Sequence, residues 1–157
     1  MATNYYTSLF KKSFAFLVDE YDMKTRKLPQ DQWDRKWLPS IAYANSTTGA
    51  LICYDVRDAH LSVDLYRLTE GQFPLRHGRV SSVDGYALNA FIFMTAPDQF
   101  IRSWLPTGEV EKASFEDYVD DAARKLRLYA DDFLRGDFSR ASQASAAIER
   151  MQEFARS

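Results

Sequence analysis

Residues 40–68 read SIAYANSTTGALICYDVRDAHLSVDLYRL, and this stretch decides the fold class. Its last third alternates. Leu61, Val63 and Leu65 fall on one side of an extended chain and Ser62, Asp64 and Tyr66 on the other, the two-residue period of a strand over residues 60–68. Upstream, Leu51, Ile52, Cys53, Tyr54 and Val56 put apolar side chains on both faces, so residues 50–57 are expected to form a central, well-covered strand. Residues 40–44 make a first short strand. Asn45-Ser46-Thr47-Thr48-Gly49 is turn chemistry, with Asn and Gly able to take positive φ. Asp58-Ala59 is expected to close a tight hairpin. The stretch predicts an antiparallel three-stranded meander.

Outward from the meander the period lengthens. Tyr6, Phe10, Phe14, Leu17 and Tyr21 recur at three-to-four spacing and predict one amphipathic helix over residues 4–21, capped by Thr3 or Asn4. Residues 22–39 are polar and irregular, punctuated by Pro29 and Pro39. Trp33 and Trp37 lie four apart there, either as a helical turn over the core edge or as an exposed aromatic pair for binding. A loop over 69–82 holds Gly71, Pro74 and Gly78. Residues 83–95 fit both periods. A short helix is favoured because Ser81 or Ser82 can cap it and Pro97 follows its end. After a second loop containing Trp104, Ser114 and Asp117 resemble a capping box. They open a helix whose stripe is Phe115, Tyr118, Val119, Ala122, Leu126, Tyr129 and Phe133, closed by Gly136. A last helix over 140–155, capped by Ser139, shows only a thin stripe (Ala144, Ile148, Met151, Ala155) and is expected at the periphery. The predicted fold is α+β: an N-terminal helix, the meander, then C-terminal helices packed on the sheet.

The chain has 157 residues, which fits one domain over 1–157 with a sizeable core. Apolar residues make up 46% and charged residues 27%, ordinary globular proportions. Cys53 is the single cysteine. It cannot form an internal disulfide, and its apolar surroundings predict a buried, inert thiol. No run of about 18 apolar residues suggests a membrane-spanning helix. The short run Phe14-Ala15-Phe16-Leu17-Val18 meets Asp19 and Glu20 at once, unlike a secretory leader. A soluble, cytoplasmic protein is therefore expected. With a net charge of −2 and only sparse basic clusters, Lys11-Lys12 and Lys24, Arg26, Lys27, neither nucleic acid nor a membrane surface is an expected partner.

Candidate chemistry concentrates at Asp55, Arg57, Asp58 and His60, with Asp64 beyond. Acid, base and imidazole together invite a catalytic or ligand-binding reading. Charge pairing within a hairpin accounts for the same residues. Two histidines, His60 and His77, and one cysteine lack zinc-ligand spacing. Asp131, Asp132 and Asp137 lack the spacing and central glycine of a calcium loop. No phosphate-binding glycine motif and no nucleophile elbow occurs. Neither metal nor cofactor is expected, and no catalytic residue is assigned. Acidic residues along the two C-terminal helices and at Asp19, Glu20 and Asp22 form either a solvated face or a docking surface for a basic partner.

Four segments carry a resemblance: FAFLVDEY at 14–21, YANSTTGALICYDVRD at 43–58, LSVDLYRL at 61–68 and LYADDFLRGD at 128–137. Together they resemble a loose set of small bacterial proteins, some of them similar to immunity proteins of toxin–immunity systems. The shared motifs are structural, and no functional residue carries over. The resemblance implies a non-enzymatic protein that binds and neutralises one cognate protein toxin in the cytoplasm, as in contact-dependent growth inhibition. The expected partner-binding residues are Asp131, Asp132, Asp137, Trp33, Trp37, Asp58 and His60. The alternatives are a small enzyme or ligand-binding domain using Asp55, Arg57, Asp58 and His60, and an oligomerisation module whose C-terminal helices pair between chains.

Overall fold

The computed structural model describes residues 2–27, 39–73, 85–97 and 115–156. Along the chain come α1 (Ala2–Ser13), α2 (Phe16–Tyr21), β1 (Lys24–Arg26), β2 (Ser40–Ala44), β3 (Thr48–Asp55), β4 (His60–Arg67), β5 (Gly85–Ala87), α3 (Leu88–Thr95), α4 (Phe115–Tyr129), α5 (Asp131–Leu134) and α6 (Ala141–Arg156). The class is α+β, as the periodicities predict. The sheet, however, has five antiparallel strands in the order β1-β2-β3-β4-β5, so the expected three-stranded meander is only its centre. The added β1 is a fully exposed Lys-Thr-Arg triplet. It is extended because Lys24, Thr25 and Arg26 pair with Ala44, Tyr43 and Ala42. Of residues 83–95, those from Gly85 on take both periods. Gly85–Ala87 pairs with β4 through Tyr86↔Leu65, and the chain turns directly into α3.

The turn between β2 and β3 works differently from expectation. Neither Asn45 nor Gly49 takes a positive φ, and β3 already begins at Thr48. Asn45 shapes the turn with its side chain. Its Oδ1 accepts the N–H groups of Thr47 (3.0 Å) and Thr48 (2.9 Å), and its Nδ2 donates to the Tyr21 carbonyl at 3.0 Å. Gly49 leaves room for a neighbour: a Cβ there would lie 2.6 Å from the tip of the Phe73 ring, which would have to move aside. The next hairpin is wider than a two-residue turn. Asp55 pairs with His60, and Ala59 sits in the left-handed region at φ 51°.

Two expected long helices are each broken once. The first stops at Ser13 and restarts at Phe16. The second stops at Tyr129 and restarts at Asp131. Both breaks keep the stripe buried: Phe10, Phe14, Leu17 and Tyr21 line one side of the core, and Val119, Leu126, Ala130 and Phe133 another. Gly136 closes α5 with φ 88°, the left-handed cap that glycine adopts without strain. The last helix is not peripheral, because Ala144 and Ala147 are buried in the main core. Small side chains there let backbones approach closely, which a thin apolar stripe disguises. Every helix contributes to this main cluster, which also takes Ile41, Tyr43, Ala50, Ile52, Leu61, Val63, Leu65 and Tyr86 from the sheet. Ala42, Ala44, Leu51, Tyr66, Leu68 and Phe73 form a smaller second cluster. Cys53 is half-buried rather than buried. None of the described helices is long and apolar enough to cross a membrane.

Burial of Tyr43 has a measurable consequence. Burial pushes its phenol up to about 12, and burial together with the bond donated to Asp131 pushes Tyr21 up to about 12. In the unfolded chain both return to about 10. A raised folded value means that the fold holds protons the unfolded chain releases. The associated stability is fully present below pH 10 and is lost as pH rises from 10 to about 12. Urea midpoints should therefore fall steeply across that window and less steeply in Tyr43→Phe. Equal slopes in the two proteins would contradict the assignment.

Candidate functional site

One end of β3 and β4 gathers aromatic side chains from three elements. Tyr54, near the end of β3, lies 5.3 Å from the Tyr6 ring of α1 and 4.6 Å from the Phe115 ring of α4. Tyr6 and Phe115 meet edge to face at 5.4 Å, and Tyr5 and Tyr118 extend the group. The first turns of both helices thus converge on the hairpin end of the sheet. Tyr118 ties α4 to that end by accepting the Leu61 N–H at its hydroxyl, 3.3 Å away. This is not a closed core. Tyr6, Tyr54, Phe115 and Tyr118 are half-buried, while Tyr5 is 51% exposed and Val56, just beyond Tyr54, is 42% exposed. Burial and the neighbouring Tyr6, Tyr118 and Asp55 oxygens raise the Tyr54 phenol above its ordinary value, so this ring stays neutral at physiological pH.

The hairpin tip follows directly on Tyr54 in the chain. Asp55 accepts the N–H groups of Arg57 (2.9 Å) and Asp58 (3.2 Å) at Oδ1, with Arg57 Nε 4.0 Å away. The Asp55 carboxylate is therefore committed to shaping the tip. Arg57, Asp58 and His60 are exposed. Of the four residues in the expected catalytic cluster, His60 alone lines a groove of about 350 Å³, with Asp64, Asn89, Tyr118, Asp121 and Lys125 among its walls. Burial pulls the Asp121 carboxyl upward, but bonds from Lys125 and Arg124 more than offset this and hold it below its usual range.

The other expected binding residues sit elsewhere. Asp131 accepts the Tyr21 hydroxyl at 2.5 Å and the Arg135 Nε at 3.1 Å, and that Tyr21 bond is the main reason its carboxyl is held low. Asp132 accepts two bonds from Arg140, at 2.6 and 3.0 Å. Asp137 accepts the Ser139 N–H at 3.0 Å, and the Ser139 hydroxyl with this N–H holds its carboxyl low. All three surround the opposite end of β3, where the Thr48 hydroxyl donates to the Phe133 carbonyl. An eight-residue strand separates that end from the hairpin, about 20 Å at the usual rise. Asp131, Asp132 and Asp137 therefore lie at the other end of β3 from Asp58 and His60. Asp131 ties α5 to α2, Asp132 ties it to Arg140 just before α6, and Asp137 shapes the turn between α5 and α6. Trp33 and Trp37 lie outside the described residues. So do His77, Trp104, Ser81, Ser82 and Ser114, and the capping side chains expected at Thr3 and Asn4. Among the described residues no three His, Cys, Asp or Glu side chains converge as a metal site would require.

Sequence reading places Phe115 and Tyr118 in a core stripe, and both do pack, half-buried, against the main core, as do Tyr6 and Tyr54; what it does not show is that the group extends to the exposed Tyr5. One signal was available in the Tyr5-Tyr6 doublet, since adjacent helical residues cannot share a face, and with Tyr6 in the stripe Tyr5 must lie off it. No protein-family model matches the chain. No curated protein and no solved structure matches it either.

Proposed function

We propose that this protein works by binding one protein partner through the aromatic hairpin end, and that the partner is a bacterial toxin which it neutralises. The observation that carries the reading is the convergence of Tyr5, Tyr6, Tyr54, Phe115 and Tyr118 on an open surface. Rigid, half-exposed tyrosine rings offer large contact area at little entropic cost, and tyrosine is enriched among the residues that dominate interface energies. The choice of a toxin as partner is supported by the resemblance of four segments to a loose set of small bacterial proteins, some of them similar to immunity proteins. Neutralisation is stoichiometric and needs no catalytic group. Asp58 and His60 belong to this surface as its polar rim.

The test is co-expression with a toxin gene found beside this one in the genome. Cells should survive, and a tagged copy should recover that toxin in equimolar amount. Cell death at the rate seen without the protein, with nothing recovered, would sink the reading. The groove beside His60 favours a second reading, a small polar ligand held among Asp64, Asn89, Tyr118 and Lys125. Ser62→Trp, which fills that groove, separates the two. It should leave toxin protection intact under the first reading and abolish activity under the second.

A further inference from the structure

The outer edge of β1 is open to solvent. β1 is a terminal strand of the sheet, and Lys24, Thr25, Arg26 and the following Lys27 are all exposed. Hydrogen-bonding direction alternates along an antiparallel strand. Asn45 donates its N–H to the Thr48 carbonyl and Tyr54 donates to the Pro39 carbonyl, both at 3.0 Å. Ile41 and Tyr43 therefore turn their backbone groups toward β3, and Ala42 and Ala44 turn theirs toward β1. Lys24 and Arg26 pair with Ala44 and Ala42, so their backbone groups face inward. The N–H and C=O of Thr25 face outward. The strand is also held in place at its start. Met23, immediately before it, is 1% exposed and donates its N–H to the Leu17 carbonyl at 3.1 Å, while Asn45 Nδ2 holds the Tyr21 carbonyl.

The side chains select what can pair there. Lys24 and Arg26 share one face of the sheet with their partners Ala44 and Ala42, and Lys27 follows. Asp22 is the one acid in residues 22–27. The ion pairs among the described residues use other cations. A second copy would bring its own Lys24 and Arg26 against these, and like charges placed opposite each other oppose pairing, which is how lysine guards an edge strand against its own kind. An acidic strand satisfies the backbone and the charge together.

We infer that β1 receives an acidic, extended segment of a partner protein as a further strand of the sheet. Main-chain bonds at Thr25 set its register, and its alternate carboxylates meet Lys24 and Arg26, with Lys27 beyond. The inference does not rest on the reading of the aromatic end. Lys24 pairs with Ala44 and Ala44 with Gly49, which places this edge toward the start of β3 rather than its hairpin end.

Titration of the intact protein with the peptide Glu-Thr-Glu-Thr-Glu-Thr-Glu, followed by NMR of the backbone amides, tests it. The peptide should bind, slow hydrogen exchange at the Thr25 amide, and weaken with rising salt. Its counterpart Lys-Thr-Lys-Thr-Lys-Thr-Lys should not bind. Combined Lys24→Glu, Arg26→Glu and Lys27→Glu should weaken binding by about tenfold or more. The milder set Lys24→Gln, Arg26→Gln and Lys27→Gln should act in the same direction should the reversal perturb folding. Thr25→Pro keeps all three cations and the bonds to β2, since an edge strand accepts proline where its N–H faces solvent. It removes the outward N–H and should weaken binding by about threefold or more. Arg150→Glu, exposed on α6, which packs against β5 at the far edge of the sheet, should leave binding within about twofold. Equal binding of the lysine peptide, undiminished binding by Thr25→Pro, or unchanged exchange at Thr25 would overturn the inference. So would tighter binding of an oligothymidylate, which would give these cations to nucleic acid, or protection of Thr25 that appears as two copies associate without peptide.

Discussion

Phe133→Ala is expected to destabilise the protein by about 3–5 kcal/mol, the range for removing a fully buried aromatic ring. Phe133 is 1% exposed. Its ring packs against Tyr86 at 5.5 Å, Phe91 at 5.4 Å and Phe138 at 4.8 Å. It therefore joins β5, α3 and the turn before α6 at one point. Its surroundings cannot collapse easily, because the neighbouring backbone is held. Asp132 accepts the Phe133 N–H at 2.9 Å, and Arg140 clamps Asp132 and the Tyr129 carbonyl together. A cavity there should stay largely open, which puts the cost toward the upper part of the range. For a domain of this size such a loss lowers the melting temperature by roughly 6–20 °C. Thermal and urea unfolding would measure it. A change below about 1 kcal/mol would show that Phe133 is not the junction of these elements.

Tyr5→Ala should do the reverse, leaving stability nearly intact while removing binding. Half of Tyr5 is already in solvent, and its ring lies against those of Tyr6 at 5.4 Å and Phe115 at 6.4 Å. Unfolding should shift by less than about 1 kcal/mol, as for other weakly packed surface positions. At an interface the same ring would be fully desolvated against the partner. Loss of such an aromatic anchor typically costs about 2 kcal/mol or more, roughly thirtyfold in Kd. Leu128→Ala is the matched control, since Leu128 is 61% exposed on the distal part of α4 and should leave binding unchanged. Equal losses in the two variants would place the interface along the whole of α4 rather than at its first turn.

What the sequence made legible follows from which forces are local. The alternation of Leu61, Val63 and Leu65 announces β4, and Gly136 announces the end of α5, because strand period and left-handed backbone are written in single residues. β1 carries no such signal. A Lys-Thr-Arg triplet with no buried side chain becomes a strand only by pairing with β2. The helix breaks are silent for the opposite reason. The first falls at Phe14-Ala15, where Ala15 keeps helical φ and ψ, and the second at Ala130, where alanine, the best helix former, leaves the helical region at φ −124°. The charge of the acidic residues is read easily, and their pairing only in part. Asp131 and Arg135 stand four apart in helical register and could have been matched. Asp132 and Arg140 are eight apart across a turn and could not. The aromatic end combines residues from three distant segments, and only its Tyr5-Tyr6 doublet hints at exposure.

Hydrogen–deuterium exchange of the protein, alone and with its toxin bound, tests the central claim most directly. The two ends of β3 lie far enough apart for the footprint to choose between them. Binding at the aromatic end predicts slowed exchange across residues 2–6, 54–61 and 115–118, with residues 131–140 unchanged. Protection confined to residues 131–140, around Asp131, Asp132 and Asp137, would contradict it.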